Sequence, residues 1–276
     1  MTATLYVVAT PLGNLADLSP RAAACLRQVA VVAAEDTRRT RGLLTHLGAA
    51  PQLLSFHAHS TPHRAEVLLE ILKSGRDVAL VADAGTPGVS DPGAELAAAA
   101  REKGFAVVPI PGASAVTAAL SASGLPADRY LFLGFLPRKG GERARLLARA
   151  AAEEWSVVLF EAPARLAALL EDLRAVAGPD RSAVVARELT KIHEEFRGGT
   201  LAELADYYST REARGEVTVV LAGTGIAPPP PDRSDEARAL AARLLGEGVS
   251  RRQAARQVAT ELGLPRNEAY RLVTEL

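Results

Sequence analysis

The stretch Asp83-Ala84-Gly85-Thr86-Pro87-Gly88-Val89-Ser90-Asp91-Pro92-Gly93 follows a mostly apolar run at residues 77–82. Its eleven residues include three glycines, two prolines and two aspartates. A plain connector needs few such special backbone positions, whereas a loop that admits a ligand close to the backbone needs several. The run before it reads as a buried strand, and the alanine-rich stretch at 93–102 reads as a helix. Asp83 stands at the strand's end. A carboxylate there accepts hydrogen bonds from a ribose or amino group, acts electrostatically near a cation, or caps a turn. Asp91 reads first as a turn or helix cap.

Two further loops share this setting. Thr10-Pro11-Leu12-Gly13-Asn14-Leu15 follows a strand at 5–9, and Ile110-Pro111-Gly112-Ala113-Ser114-Ala115 closes a strand at 106–110. In an open α/β sheet, ligands bind outside the carboxyl ends of the strands. Ser114 reads as a helix N-cap or a ligand contact. No Gly-x-Ser-x-Gly elbow surrounds it to make it a nucleophile.

Working outward, strands at 5–9, 29–33, 77–82 and 106–110 alternate with helices at 20–27, 61–73 and 93–102, the pattern of a largely parallel α/β sheet. The second half repeats the style. Strands are expected at 130–135, 156–161, 183–187 and 217–222, helices at 141–152, 164–175 and 201–211, and an extra strand at 193–197. The halves separate near 111–125, where a glycine-rich turn and Ser121-Ala122-Ser123-Gly124 interrupt the pattern. The expected organisation is an N-terminal α/β domain at 1–115 and a C-terminal α/β domain at 116–226. A proline-rich linker at 227–234 holds Pro228, Pro229, Pro230 and Pro231, and a trihelical tail occupies 235–276. Within the tail, Ser250-Arg251-Arg252-Gln253 reads as a capping box and Gly263 as a helix stop. The tail is either a packing element or a helix-turn-helix-like unit that touches nucleic acid.

Composition narrows the function. The 276 residues are 48% hydrophobic and 23% charged, which excludes a disordered or collagen-like chain. With 32 basic and 32 acidic residues, a uniformly basic nucleic-acid coat is excluded, though local basic patches are not. One cysteine, Cys25, permits no internal disulfide and fits a reducing compartment. The N-terminus carries no basic leader and no apolar run approaches the ~18 residues that span a bilayer, so a soluble cytoplasmic protein is expected. Neither a Gly-x-Gly-x-x-Gly fingerprint nor a Walker loop is present, and Gly223-Thr224-Gly225 runs into prolines rather than a helix. Those absences argue against an ordinary nicotinamide enzyme or NTPase. His57, His59 and His63 read as a polar loop near the cleft rather than a zinc site, and no metal is expected.

The three loops, in this order and at these strand ends, resemble the tetrapyrrole methylase superfamily. Within it, the chain is similar to the rRNA methyltransferases that modify a cytidine 2′-hydroxyl of 16S rRNA. The likeness rests on the loops at 9–15 and 83–88 and on four more segments. These are Ala34-Glu35-Asp36-Thr37-Arg38, the stretch from Ala119 to Pro126, Gly134-Phe135-Leu136-Pro137-Arg138-Lys139, and Ala186-Arg187-Glu188-Leu189-Thr190-Lys191. Together they span about residues 4–223; each alone is weak, and the ordered set is specific. The resemblance implies two α/β domains of tetrapyrrole methylase type with S-adenosyl-L-methionine in the cleft between them, and a homodimer. It assigns cofactor binding to Pro11, Leu12, Gly13, Asp83, Ala84, Gly85, Ser114, Ala115, Leu133, Pro163 and Gly223. The chain departs from the family at two places. Glu161-Ala162-Pro163-Ala164-Arg165 stands where Glu-Ser-Pro-His-Arg is frequent, so no histidine is available at 164, and Ser60 stands where Asn is frequent.

Methyl transfer from a sulfonium to a hydroxyl is an in-line displacement, and the protein's work is mainly alignment and exclusion of water. A base that accepts the hydroxyl proton helps. Glu188 and Lys191 follow a second-domain strand. Glu188 is placed to accept a proton, and Lys191 to hold a phosphate or, if deprotonated, to act as the base; a structural ion pair is the competing reading. Glu35 and Asp36 also end a strand, with Asp36 equally suited to capping a helix. Arg38, Arg39, Arg138 and Lys139 are the expected RNA contacts, with Arg143, Arg145 and Arg149 nearby. Aromatic residues make up only 4% of the chain, so shape and 2′-hydroxyl recognition fit better than base stacking. Two other functions remain open from sequence: methylation of a tetrapyrrole or protein on the same fold, and a non-enzymatic nucleic-acid-binding regulator built on the tail.

Overall fold

The computed structural model describes residues 3–57, 62–225, 234–262, 264 and 266–275. The four linker prolines, His59, Ser60 and Gly263 lie outside the described residues. The chain divides into a larger compact unit that ends at Gly225 and a smaller helical one beyond it.

The larger unit holds two five-stranded sheets. In the first, β1 (Thr4–Val8), β2 (Val31–Ala34), β3 (Gln52–Ser55), β4 (Val78–Val81) and β5 (Ala106–Ile110) run parallel in the order β3-β2-β4-β1-β5. The connecting helices are α1 (Pro20–Gln28), α2 (Thr37–Leu47), α3 (Pro62–Lys73) and α4 (Ala94–Glu102). Their starts are written in the sequence. The Ser19 hydroxyl accepts the Ala22 amide at 3.1 Å ahead of α1, with Pro20 in the first turn. The Asp36 carboxylate accepts the Arg38 amide at 2.8 Å and so caps α2. Leu26 of α1 and Leu44 of α2 pack with Val8, Val32 and Val81. Leu68 and Leu72 of α3 and Leu96 of α4 pack with Leu5, Val31 and Leu80. Covered on both faces, the inner strands need continuous apolar runs, which is what made β1, β2 and β4 readable. The edge strand β3 is four residues long with one exposed and the rest half-buried, and its run carries no such signal.

The second half contains α5 (Ala115–Ser123), β6 (Tyr130–Phe135), α6 (Gly141–Ala152), β7 (Ser156–Glu161), α7 (Leu166–Ala177) and β8 (Ser182–Arg187), then β9 (Glu195–Thr200), α8 (Leu201–Ser209) and β10 (Val217–Leu221). Its sheet has the order β6-β7-β10-β8-β9 and is mixed: β6 and β7 are parallel, while β10 is antiparallel to both β7 and β8, and β8 to β9. The first half's parallel style is therefore not repeated. Residues 188–194 are too few for a crossover helix, so β9 must return antiparallel. The stretch 111–125 contains α5, a helix not expected there, whose Val116, Ala119 and Leu120 are buried with Val158, Ala186 and Val220. The Ser-Ala-Ser-Gly stretch is its last turn and its left-handed Gly124 cap. Helices α6, α7 and α8 cover the other face through Leu147, Leu166, Leu170 and Leu204.

In the smaller unit, α9 (Ser234–Gly246), α10 (Arg251–Leu262) and α11 (Arg266–Thr274) enclose Ala237, Ala241, Leu244, Val258 and Leu272. The Ser250 hydroxyl donates to the Gln253 side-chain oxygen at 2.7 Å, a contact between side chains rather than a reciprocal backbone cap. No helix among the described residues is long and apolar enough to cross a membrane.

Candidate active site

Strands β4, β1 and β5 are neighbours, so the loops leaving their carboxyl ends meet. The Thr10 amide donates to the Gly85 carbonyl at 2.9 Å and the Gly85 amide to the Thr10 carbonyl at 3.0 Å. The Thr86 hydroxyl donates to the Ala113 carbonyl at 3.2 Å. Gly85 has φ +81°, and a Cβ there would sit 3.3 Å from Leu12 Cδ2. The turn that joins the loops therefore requires a residue without a side chain.

Facing these loops is the edge of the second sheet where β7 ends and β10 begins. Between them lies a cleft of about 430 Å³. Seven of the expected cofactor residues line it: Leu12, Asp83, Ala84, Gly85, Ser114, Ala115 and Pro163. Ser114 occupies the N-cap position of α5 but makes no side-chain capping bond, so its hydroxyl is left for the cleft. Four expected residues do not line it. Pro11 and Gly13 shape the β1 loop. Leu133 packs into the core beneath α6–α8. Gly223 lies past the far end of β10, where a side chain would strike the Glu154 backbone; it is Val217 and Thr218, at the strand's start, that reach the cleft.

The lining is strongly acidic. Glu35, Asp83, Asp91, Glu161 and Glu216 are there with Arg39 as the one basic residue among them. Asp83 accepts the Asp36 amide at 2.8 Å and lies 3.8 Å from Arg39 Nε. Burial and then the Asp83 charge raise the Glu35 carboxyl. Burial, then Glu35 and Asp83, push Asp91 up to about 6. Glu161 is only 2% exposed. One of its oxygens accepts the Ala162 amide at 2.8 Å, and the other lies 3.2 Å from Arg165 without a hydrogen bond. Such a cavity favours a cation.

Glu188 and Lys191 form an ion pair beside the cleft. The Lys191 ammonium donates to Glu188 at 2.8 Å and to Glu216 at 3.2 Å, and its stem lies where a side chain on Gly13 would be. The Lys191 hydrogen bond, outweighing burial, lowers the Glu188 carboxyl. Burial opposes the Lys191 charge, but Glu188 and Glu216 outweigh it and raise the ammonium's pKa. Both groups are thus charged near neutrality. Glu188 and Thr190 have φ +52° and +66°, so the turn that presents Lys191 is strained.

Of the expected RNA contacts, Arg39 lines the cleft and Arg38 is tied to Asp36 at 3.1 Å. Arg138 and Lys139 are exposed after β6 and make no ion pair among the described residues. Arg143, Arg145 and Arg149 are engaged with Asp172, Glu142 and Glu153. His63 lies 3.6 Å from Glu66, and no group of three metal-ligating side chains occurs among the described residues. Sequence reasoning passed over Glu161 and Glu216 as cleft residues, although Glu161 ends one apolar strand and Glu216 immediately precedes another.

Residues 4–205 match the family model of tetrapyrrole (corrin/porphyrin) methylases. A Synechocystis protein named ribosomal RNA small subunit methyltransferase I is 47% identical, with 99% of this chain and 98% of the relative covered. A Xylella fastidiosa protein of the same name is 46% identical, with 97% of each covered. Among solved structures, uroporphyrin-III C-methyltransferase from Thermus thermophilus, complexed with S-adenosyl homocysteine, superposes with a TM-score of 0.58 at 20% identity. That match covers 80% of this chain and 97% of the other.

Proposed function

Because this chain belongs to the tetrapyrrole (corrin/porphyrin) methylase family, we propose that it methylates the 2′-hydroxyl of a cytidine ribose in 16S rRNA of the small ribosomal subunit. S-adenosyl-L-methionine is the methyl donor, supplying a methyl group on a positively charged sulfur. The relatives' names support the small-subunit rRNA substrate. The observation that carries the reading is the cleft itself: an acidic cavity with apolar and backbone walls, closed on one side by three loops of the first sheet and on the other by the second.

The residues present fit the donor. Leu12, Ala84, Ala115 and Val116 offer an apolar wall for a flat base, and the bare Gly85 backbone leaves room beside it. Glu35 and Asp83 suit the donor's ammonium and sulfonium charges. Leu12, Asp83, Ala84, Gly85, Ser114, Ala115 and Pro163 would hold it. Lys191 and Glu188 are positioning residues in this reading: Lys191 braces the β1 loop at Gly13 and directs Glu216 to the cleft. Arg39 at the cleft, Arg38 beside it, and exposed Arg138 and Lys139 contact RNA phosphates, which fix register without reading bases. The chain acts as a homodimer.

The test supplies labelled donor and isolated small subunits, then hydrolyses the rRNA with alkali. Label in an alkali-resistant dinucleotide containing a 2′-O-methylcytidine is expected. Transfer to a corrin precursor alone would overturn the assignment.

A further inference from the structure

We propose that the Asp91 carboxylate takes the proton from the hydroxyl being methylated, an inference that rests on the functional reading above. The oxygen–methyl bond forms as the methyl–sulfur bond breaks, the electron pair stays on sulfur, and the hydroxyl proton passes to an Asp91 oxygen. A carboxylate can do this only if it faces the cleft and is not already committed to another partner.

Most acids around the cleft are committed. Asp83 holds the Asp36 amide and faces Arg39. Glu161 holds the Ala162 amide and Arg165. Glu216 holds Lys191, and Glu188 accepts both Lys191 and the Glu216 amide. Asp91 lines the cleft half-buried and makes no hydrogen bond or ion pair among the described residues. It is not a helix cap either: the N-cap of α4 is Gly93, and no side-chain capping bond is made there.

The backbone in front of it is built across both sheets. Ser90 has φ +61°, a left-handed conformation that a non-glycine residue adopts at a cost. It fits against Gly134 in the bulge of β6, where a Cβ would lie 2.7 Å from Ser90 Oγ. The bend thus depends on a missing side chain in the second sheet, and it sets Asp91 into the cleft wall. Glu35 from the end of β2, Asp83 from the end of β4, Arg39 from α2, Glu161 from β7 and Glu216 ahead of β10 share this cavity. His57 bears on Glu35 from beyond β3. The raised Asp91 value of about 6 keeps the group ionised at neutral pH and more basic than an ordinary carboxylate.

The experiment compares the full-length chain with Asp91→Asn and Asp91→Glu on isolated small subunits, at saturating donor, from pH 5 to 9. Asp91→Asn is expected to lose about 100-fold or more in kcat. Its affinity for S-adenosyl homocysteine, by calorimetry, should stay within about threefold of the parent, which also confirms a folded cleft. The acid limb of the parent's rate profile, near pH 6, should vanish from the residual rate, and Asp91→Glu should recover part of the loss. An Asp91→Asn rate within about threefold of the parent, or an acid limb that persists in it, overturns the proposal. Failure of the functional reading looks different, since the parent chain itself would then leave small subunits unmethylated.

Discussion

The two sheets each have five strands, yet they contribute to the cleft in different ways. In the first, every strand runs the same way, so the loops after β1, β2, β4 and β5 leave one edge and bond to one another there. In the second, directions are mixed, and the facing edge combines the end of β7 with the start of β10, which pair at Glu161 and Val217. The first sheet supplies loops bent by glycine and fixed by proline; the second supplies a wall of paired charges. A parallel sheet gathers loops for binding, and a mixed sheet opposite fixes where they must close.

That contrast can be broken from either side. The largest effect is expected at Gly85. Gly85→Val places a β-branched side chain at φ +81° against Leu12, and donor affinity measured by calorimetry should fall at least about 100-fold while circular dichroism stays unchanged. On the wall, Arg165→Ala leaves the Glu161 carboxylate buried without its counter-ion. Removing one partner of a buried pair costs about 3 kcal/mol, readable by urea denaturation. Outside the cleft, Arg138→Ala with Lys139→Ala should raise the KM for small subunits about tenfold and flatten its salt dependence, without changing donor affinity. Arg38→Ala should do less, because Asp36 already holds that guanidinium.

The smallest effect concerns stability. Asp91 carries a raised pKa, so the folded chain keeps a proton that the unfolded chain releases between pH 3.8 and about 6. Stability falls as pH rises through that window, and the full cost is present above it. Asp91→Asn should therefore be more stable than the parent at pH 7 and show no such gain below pH 4. Discounted for half exposure, the gain is about 1 kcal/mol, or roughly 2–4 °C in Tm by calorimetry.

Much of the first sheet could be read from residues alone because buried parallel strands leave unbroken apolar runs and their loops carry dense glycine and proline. The short edge strand β3 leaves no such trace. The helix α5 was hidden because Ser and Gly at its end look like a break until the Val116–Ala119–Leu120 face is seen packed on β10. The antiparallel pairing of the second sheet was not legible, since a strand followed by a helix looks alike in either direction. Among the site residues, those on special backbone could be found early. Asp91 read as a cap because a carboxylate just ahead of a helix usually is one; its freedom depends on Gly134, some forty residues away in the chain.

Leu12 leaves the first sheet yet is buried with Val158, Ala186 and Val220 of the second. The opening loop is thus a plug seated in the opposite half. A fragment cut after β5 would carry that leucine bare to water and leave its socket open, so separating the halves costs each of them an apolar contact.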